Sequence, residues 1–259
     1  MMWNSIQEVF SFFFFFGRRA NKTKFFFLLS FLPVIMAMVV KFDQIFSHRT
    51  GFDEMSIFSN LIMLVYLQFL ILILTLFYGT SICSEEVEGK TLTYLATRPV
   101  PKSAVILGKY AGHTLLVILM VDIGVIFSFL ILNVNHLLDF SIYKILLRDI
   151  GVLTLGVICY ASFFTFLGTF LKKSILFGLV FSFGWENVIQ YFPGSTQRFA
   201  IVHYLKSLLP YKGGKFSFLM FRLEPTRPGI AILALFLISA FFLVLACLFF
   251  SQKEYILED

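Results

Sequence analysis

The sequence predicts an all-α membrane protein with six transmembrane helices. Of its 259 residues, 59% are hydrophobic and 14% are charged, and the mean hydropathy is +0.88. Soluble domains carry about a quarter charged residues, so this composition excludes a water-soluble globule and a disordered chain. A bilayer-spanning helix uses ~20 residues, so the chain has room for about six spans and none for a separate soluble catalytic domain.

Residues 1–24 are predicted to form an amphipathic elbow helix in the membrane interface, followed by a basic linker. Apolar residues recur there at helical spacing, namely Trp3, Ile6, Phe10 and Phe13. Polar residues occupy the other face, and four cations follow the helix: Arg18, Arg19, Lys22 and Lys24. This pattern is typical of a helix lying on a bilayer surface. The alternative is that the segment extends the first span.

Residues 25–259 are predicted to form one transmembrane domain. Its six apolar stretches cover residues 25–40, 57–83, 104–133, 150–171, 175–192 and 229–250. Pro33 is expected to kink the first stretch, which is short for a full crossing. The second is long, because at ~1.5 Å per residue it exceeds the ~30 Å hydrocarbon core. Lys172 and Lys173 leave almost no loop between the fourth and fifth stretches, which predicts an antiparallel hairpin.

Charge distribution predicts the orientation of the chain in a cell (inner, cytoplasmic) membrane. Six spans place both termini on one side, whose loops hold 11 Lys and Arg residues against 10 on the other side. Six of those 10 lie in residues 193–228, and without that long segment the comparison is 11 against 4. Because positive-inside counts weight short loops, both termini are predicted to be cytoplasmic. Residues 193–228 become an outer segment, and the net charge of +6 fits contact with anionic membrane lipids.

Residues 84–102 form the most informative polar segment. One helical face is shared by Val87, Thr91, Leu92 and Leu95, with the charged residues elsewhere, and Pro99 ends the helix. The pattern predicts a short amphipathic helix in water between two long spans. It either rests on the membrane as a connector or inserts into a groove on a soluble partner.

This segment resembles the permease subunits of ABC-2 type (type V) exporters. In that family an acidic pair, a Thr-Leu step, a Leu-Ala step, an Arg-Pro-Val, a basic residue and a Gly-Lys-Tyr lead into the third span. Here these positions are Glu86 and Glu88, Thr91-Leu92, Leu95-Ala96, Arg98-Pro99-Val100, Lys102 and Gly108-Lys109-Tyr110. The elbow helix, the basic turn and the long outer segment resemble the family in architecture.

The resemblance implies a permease that moves an unidentified substrate across the membrane. It also implies a second permease copy or close relative and two ABC ATPase subunits, which bind ATP and Mg. The ATPase-coupling role falls to Glu86, Val87, Glu88, Thr91, Leu92, Leu95, Arg98, Pro99, Lys102 and Lys109. The chain itself is expected to bind no ATP, since Ser84 stands where a P-loop ending in Gly89-Lys90-Thr91 would need its first glycine.

Several polar residues are predicted inside the spans. They are Gln68, Asp122, Glu186, Asn187 and Gln190. Polar groups at membrane depth normally face the bundle interior. Two interpretations stay open: hydrogen bonding between helices, or lining of a transport path.

No catalytic centre, metal site or nucleic-acid interface is expected. The four histidines lack HExxH spacing, the three cysteines lack metal-binding spacing, and no basic stripe is interleaved with exposed aromatics. Two alternatives to a transporter stay open. One is a membrane anchor or sensor that recruits an ATPase without transport. The other is an intramembrane lipid-modifying enzyme, which is disfavoured because its clustered carboxylates are missing.

Overall fold

The chain is a helical membrane protein. A computed structural model describes residues 2–47, 54–88, 101–136, 138–189, 192, 195–209 and 225–252, and every regular element in these ranges is helical. The all-α prediction is therefore confirmed. Five helical runs are long and apolar enough to cross a membrane: Asn21–Phe46, Glu54–Ile82, Lys102–Leu132, Phe140–Phe170 and Pro228–Gln252.

The fifth of the six predicted spans corresponds to a shorter apolar run, Ser174–Ile189. At ~1.5 Å per residue its helix rises ~24 Å, less than the ~30 Å hydrocarbon core. The structure thus supports a multi-pass membrane protein with five candidate spans and one short apolar helix. The six-span topology stays a prediction.

The first 47 residues contain three consecutive helices: α1 (Met2–Arg19), α2 (Asn21–Ser30) and α3 (Leu32–Ser47). Ala20 has extended backbone dihedrals and separates α1 from α2. A turn at Phe31 separates α2 from α3, and Pro33 lies in the first turn of α3, where its missing N–H is tolerated. The candidate span Asn21–Phe46 has 26 residues, longer than predicted, because the helices continue through charged residues at both ends.

The next run is continuous from Glu54 to Glu88. It consists of α4 (Glu54–Asn60), a π-helical stretch (Leu61–Leu70) and α5 (Ile71–Glu88). Most of its side chains are buried against neighbouring helices, and the Tyr66 hydroxyl lies 2.9 Å from Ser128 Oγ of the following helix. This run forms the centre of the bundle.

Two 31-residue helices follow, α6 (Lys102–Leu132) and α7 (Phe140–Phe170). The α7 helix begins ten residues before the predicted fourth span. Its added turns carry Lys144 and Arg148 on an exposed face, while Tyr143 packs against the core. Because these charged residues lower the hydropathy of residues 140–149, the hydropathy pattern assigns the first turns of α7 to a loop.

The C-terminal part turns back at Lys172–Lys173 into α8 (Ser174–Leu179), a π-helical stretch (Val180–Glu186) and α9 (Asn187–Ile189). A short helix α10 (Ile201–Leu208) precedes the last span, α11 (Pro228–Gln252). Phenylalanine pairs join α11 to α7, with ring centroids 4.9 Å apart for Phe163 and Phe242 and 5.2 Å apart for Phe170 and Phe249.

The relative directions of α5, α6 and α7 follow from the contacts between their residues. In α5 and α7, Gly79 meets Phe164 and Thr80 meets Gly168, so these helices run parallel. Lys109 of α6 contacts Ile82 of α5, while Ser128 contacts Tyr66, so α6 runs antiparallel to both. The last residues of α5 and α7 and the first of α6 therefore share one end of the bundle. This end, which also carries the Lys172–Lys173 turn, is called the basic end, and the other is called the opposite end.

The close contact of α5 and α7 predicts the effect of adding one methyl group. A Cβ on Gly168 would lie 2.9 Å from the backbone oxygen of Thr80, which cannot rotate away. Gly168→Ala should therefore lower the free energy of unfolding by ~1–3 kcal/mol. Thermal unfolding of the purified chain in detergent measures this loss.

Gly151 on the same helix supplies the matched control. A Cβ there meets nothing within 4 Å, so Gly151→Ala should leave stability unchanged or raise it by up to ~1 kcal/mol through helix propensity. Equal unfolding temperatures for the two variants would contradict the packing of α5 on α7.

Candidate functional site

The Lys109 side chain holds the basic end together. It is 2% exposed although it carries a cation. Its Nζ donates a hydrogen bond of 3.1 Å to the carbonyl oxygen of Ile82 in α5, and it lies 4.5 Å from the ring centroid of Phe13 in α1. A buried ammonium needs such partners, because its desolvation is costly. Lys109 thus joins α1, α5 and α6.

An aromatic and hydroxyl cluster extends this junction to the start of the first span. The Tyr78 hydroxyl donates to Thr23 Oγ1 at 2.9 Å, and Thr23 in turn donates to the carbonyl of Gly17. The Lys22 ammonium lies 5.5 Å from the Tyr78 ring centroid. His113 packs edge-on against Tyr78, with ring centroids 5.5 Å apart. The basic linker is therefore bound to α5 and α6.

Helix α1 packs along the first half of α6 at two glycines. A Cβ on Gly108 would lie 2.6 Å from Val9 Cγ1, and one on Gly112 would lie 3.4 Å from the Phe10 carbonyl. The Gly-xxx-Gly spacing lets the two backbones approach closely. The polar residues Gln7, Glu8 and Ser11 lie on the exposed face of α1. Its predicted position on a lipid surface stays a prediction.

The predicted coupling residues divide into three groups. Glu86, Val87 and Glu88 belong to the last turn of α5, so the second span continues as a helix into the coupling segment. Thr91, Leu92, Leu95, Arg98 and Pro99 lie outside the described residues, and so does most of the predicted coupling helix. Lys102 begins α6 and is exposed, whereas Lys109 is buried.

The burial of Lys109 predicts a strong effect of charge reversal. Lys109→Glu would place a carboxylate against the Ile82 carbonyl oxygen and the negative face of the Phe13 ring. An uncompensated buried charge costs ~3–5 kcal/mol, so most of the stability of the chain should be lost. Urea unfolding of the detergent-solubilised chain measures this loss.

Lys102→Glu is the matched control. It reverses an exposed cation on the same helix and should change stability by less than ~0.5 kcal/mol. If the two reversals were equally mild, Lys109 would not hold the junction.

At the opposite end, the carboxylate of Glu186 caps a helix that is distant in sequence. It is 1% exposed and accepts backbone N–H bonds from Ile201 at 3.0 Å and Val202 at 3.2 Å. These N–H groups open α10, where no side chain of the preceding Ala200 caps them. A carboxylate at a helix N-terminus satisfies free donors and complements the helix dipole. The geometry favours the structural interpretation of Glu186.

The α10 helix is held inside the bundle by two further contacts. A Cβ on Gly156, in the middle of α7, would lie 3.1 Å from Leu205 Cδ1, and Leu205 is fully buried. Lys206 is also buried, which lowers its pKa to about 8, while the nearby Glu186 carboxylate acts in the opposite direction. His203 Nε2 lies 2.9 Å from Thr226 Oγ1, just before α11. Helix α10 therefore packs into the bundle rather than lying wholly on its surface.

The other polar residues predicted in the spans that the structure describes lie in three different helical runs. Asp122 of α6 is partly exposed, and its buried Oδ1 accepts no hydrogen bond from the described residues. Gln68 is partly buried in the π-helical stretch of the second span. Asn187 Nδ2 donates to the Ser182 carbonyl of its own helical run. Gln190 lies outside the described residues.

Sequence reasoning missed polar residues that the fold brings inside. Asp149 is fully buried, although the prediction placed it in a loop. Lys206, Tyr78 and His113 gain their roles from partners far along the chain, and no local spacing indicates them. Among the residues of the Lys109 junction, only Lys109 itself was indicated by the sequence, through the Gly108-Lys109-Tyr110 motif. Within the described residues, no group of three His, Cys, Asp or Glu residues could hold a metal ion.

A cavity of about 860 Å³ with charged and apolar walls opens at the opposite end. On its wall Lys41 pairs with Glu54 at 2.6 Å and donates to the Leu132 carbonyl at 3.1 Å. Asn135 Nδ2 donates to the same carboxylate oxygen at 3.3 Å. At the cavity wall, Lys41 therefore joins α3 to α4 and to the end of α6.

The Glu186 cap predicts local rather than global loosening when it is removed. Glu186→Leu leaves two buried N–H donors without an acceptor, at a cost of ~1–3 kcal/mol each. Amide hydrogen exchange at Ile201 and Val202 should therefore speed up by on the order of tenfold or more. Glu186→Gln keeps one acceptor oxygen and should have a smaller effect.

The neighbouring Asn187→Leu serves as the control for this measurement. Since the Asn187 amide bonds within its own helical run, the exchange of the α10 amides should stay within about twofold. Equal acceleration by both leucine variants would show that Glu186 is not the cap.

Comparison with known protein families agrees with this architecture. The family model described as "ABC-2 family transporter protein" matches residues 18–185, which is 168 of the 259 residues. No match to a curated protein was found. The matched region runs from the end of α1 through the Lys109 junction to the residue before Glu186. The chain belongs to the ABC-2 family of transporter proteins and is the membrane-embedded permease component of an ABC transporter.

Proposed function

We propose that the chain is an exporter permease driven by a separate ABC ATPase. The observation that carries this proposal is the Lys109 junction, because it fixes the end of α5 to the start of α6. The segment between them, residues 89–100, contains the Thr-Leu and Arg-Pro-Val motifs, and the helices on both sides of it end and begin at the basic end. A segment flanked in this way is well placed to dock on one soluble subunit.

Mechanical connection between this loop and the spans supports a coupling role. The α5 helix continues to Glu88, so a displacement of the loop acts directly on a rigid helix. Through Lys109 the same displacement reaches Phe13 of α1 and the whole of α6. Lys109 is thereby a positioning residue, while the exposed Lys102 and the loop motifs contact the ATPase.

We place both termini and the basic end in the cytoplasm of a cell whose inner membrane holds the permease. Lys102 and the Lys172–Lys173 turn lie at the basic end, as the positive-inside rule expects of cytoplasmic segments. The 860 Å³ cavity then opens on the outer side. Its walls carry both charged and apolar side chains, as expected for the outer opening of a transport path.

A second permease copy or close relative completes the transporter in this proposal. In the described segments, α3 and α11 leave large apolar side chains exposed on one side, including Phe42, Phe46 and Phe236. Lipid or another permease covers such faces in a membrane. ATP and Mg bind to two ATPase subunits, and the chain contributes no catalytic centre of its own. The substrate is not identified by any residue described above.

Cysteine crosslinking tests the coupling loop. Single cysteines at Thr91, Leu92 and Leu95 should crosslink to the ATPase subunit, and the yield should change when ATP is bound. The apolar face is expected to occupy a groove on the partner, so Leu92→Ala or Leu95→Ala should cost ~1–3 kcal/mol of docking free energy. Co-purification of the two subunits measures that loss.

A cysteine at Ser47, in the last turn of α3 at the opposite end, is the control and should give no crosslink. Crosslinking from Ser47 but not from Leu95 would invert the orientation and remove the basis of the exporter proposal. Absence of any ATPase partner with intact transport would also contradict it.

A further inference from the structure

A groove of about 450 Å³ lies between the start of the first span and the middle of α6. It is lined by Arg18, Thr23, Lys24, Phe27, Leu116, Leu119, Met120 and Ile123. Its volume falls in the range of small-molecule sites, about 300–1,000 Å³. One end of the groove is cationic and the rest is apolar.

The two cations at the groove are available to an anion. Arg18 and Lys24 are exposed, and neither forms an ion pair with a residue that the structure describes. Thr23 is already engaged with Tyr78 and Gly17, so it fixes the backbone between the two cations. The cationic end is thereby held in place by the junction at Tyr78.

The apolar part of the groove has a buried floor and exposed walls. Leu116 and Met120 are each 4% exposed and form the floor. Phe27 and Leu119 are 41% and 43% exposed and form the walls. All four belong to candidate membrane spans, so this surface faces the hydrocarbon of the bilayer.

We propose that this groove binds an anionic phospholipid of the leaflet at the basic end. The phosphate lies between Arg18 and Lys24, and an acyl chain follows the floor toward Ile123. A soluble anion would use only the cationic end, and an acidic peptide would leave the apolar walls facing lipid. A phospholipid satisfies both parts at once, because its charge and its chains meet at the membrane interface where the basic linker joins the first span.

The bound lipid would fasten the basic linker to α6. Since α1 ends at the linker and reaches Lys109 through Phe13, the lipid would stabilise the same junction that positions the coupling loop. Binding itself does not depend on the proposed transport function and is measured without it.

Lipid binding to the full chain is measured by native mass spectrometry in detergent. Phosphatidylglycerol and phosphatidylcholine with identical acyl chains are titrated separately, and phosphatidylglycerol should bind more tightly. Each basic residue near an anionic headgroup contributes roughly a fivefold gain in affinity, so Arg18→Gln with Lys24→Gln should weaken phosphatidylglycerol binding about 25-fold. Each single variant should weaken phosphatidylglycerol binding about fivefold. The single variants keep the proposal testable if the double variant does not fold.

Lys172→Gln with Lys173→Gln removes the same charge from another exposed turn at the basic end and is the matched control. It should change binding less than about twofold. Equal weakening by the two double variants would show general surface attraction and overturn the site.

Two further results separate a lipid from a free phosphate. Leu119→Trp narrows the apolar wall without changing charge and should weaken phosphatidylglycerol binding, whereas unchanged binding would overturn the proposal. Glycerol 3-phosphate has the anionic group without acyl chains and should not compete at equal concentration. Effective competition would identify a soluble-anion site instead.

Discussion

Burial of two opposite charges against helix backbones holds the two ends of this bundle. At the basic end the Lys109 ammonium is bound to the Ile82 carbonyl, and at the opposite end the Glu186 carboxylate is bound to the N–H groups of Ile201 and Val202. In a medium without water, neither charge can be left alone. Each therefore dictates where a neighbouring element must lie, α1 and α5 around Lys109 and α10 beside Glu186. The central helices between them need only pack.

That central packing relies on small residues and on hydroxyls that bond to their own helix. Gly79 and Gly168 let α5 and α7 touch along their backbones. Thr75, Thr80 and Thr165 are fully buried, and each donates to a carbonyl four residues earlier in its own helix. They consequently add polar atoms without demanding a partner across the interface. Contacts between apolar surfaces are weakly directional in lipid. The close approach of the two backbones at Gly79 and Gly168 therefore fixes the position of α5 along α7.

The sequence predicted the helical class, the apolar stretches and the Gly108-Lys109-Tyr110 motif, because these depend on composition and short spacing. It misplaced helix ends wherever charges sit on an exposed helical face, as with Lys144 and Arg148 at the start of α7. The partners of Glu186 lie about fifteen residues further along the chain, in a different helix, so no periodicity could indicate them. Lys109 was predicted to take part in coupling to the ATPase, and its burial against Ile82 and Phe13 could not be read from the sequence, because both partners are distant along the chain.

The two charged ends differ in what they hold. Lys109 joins three helices, which also share the ring contacts of Phe13, Tyr78 and His113. Glu186 holds only α10, a helix of eight residues whose own hydrogen bonds are few. The α10 helix is also held by Leu205 packed against Gly156 and by the contact of His203 with Thr226, so the cap acts together with side-chain packing. The basic end is therefore joined by a buried cation and aromatic rings, whereas α10 is joined by a backbone cap and apolar packing.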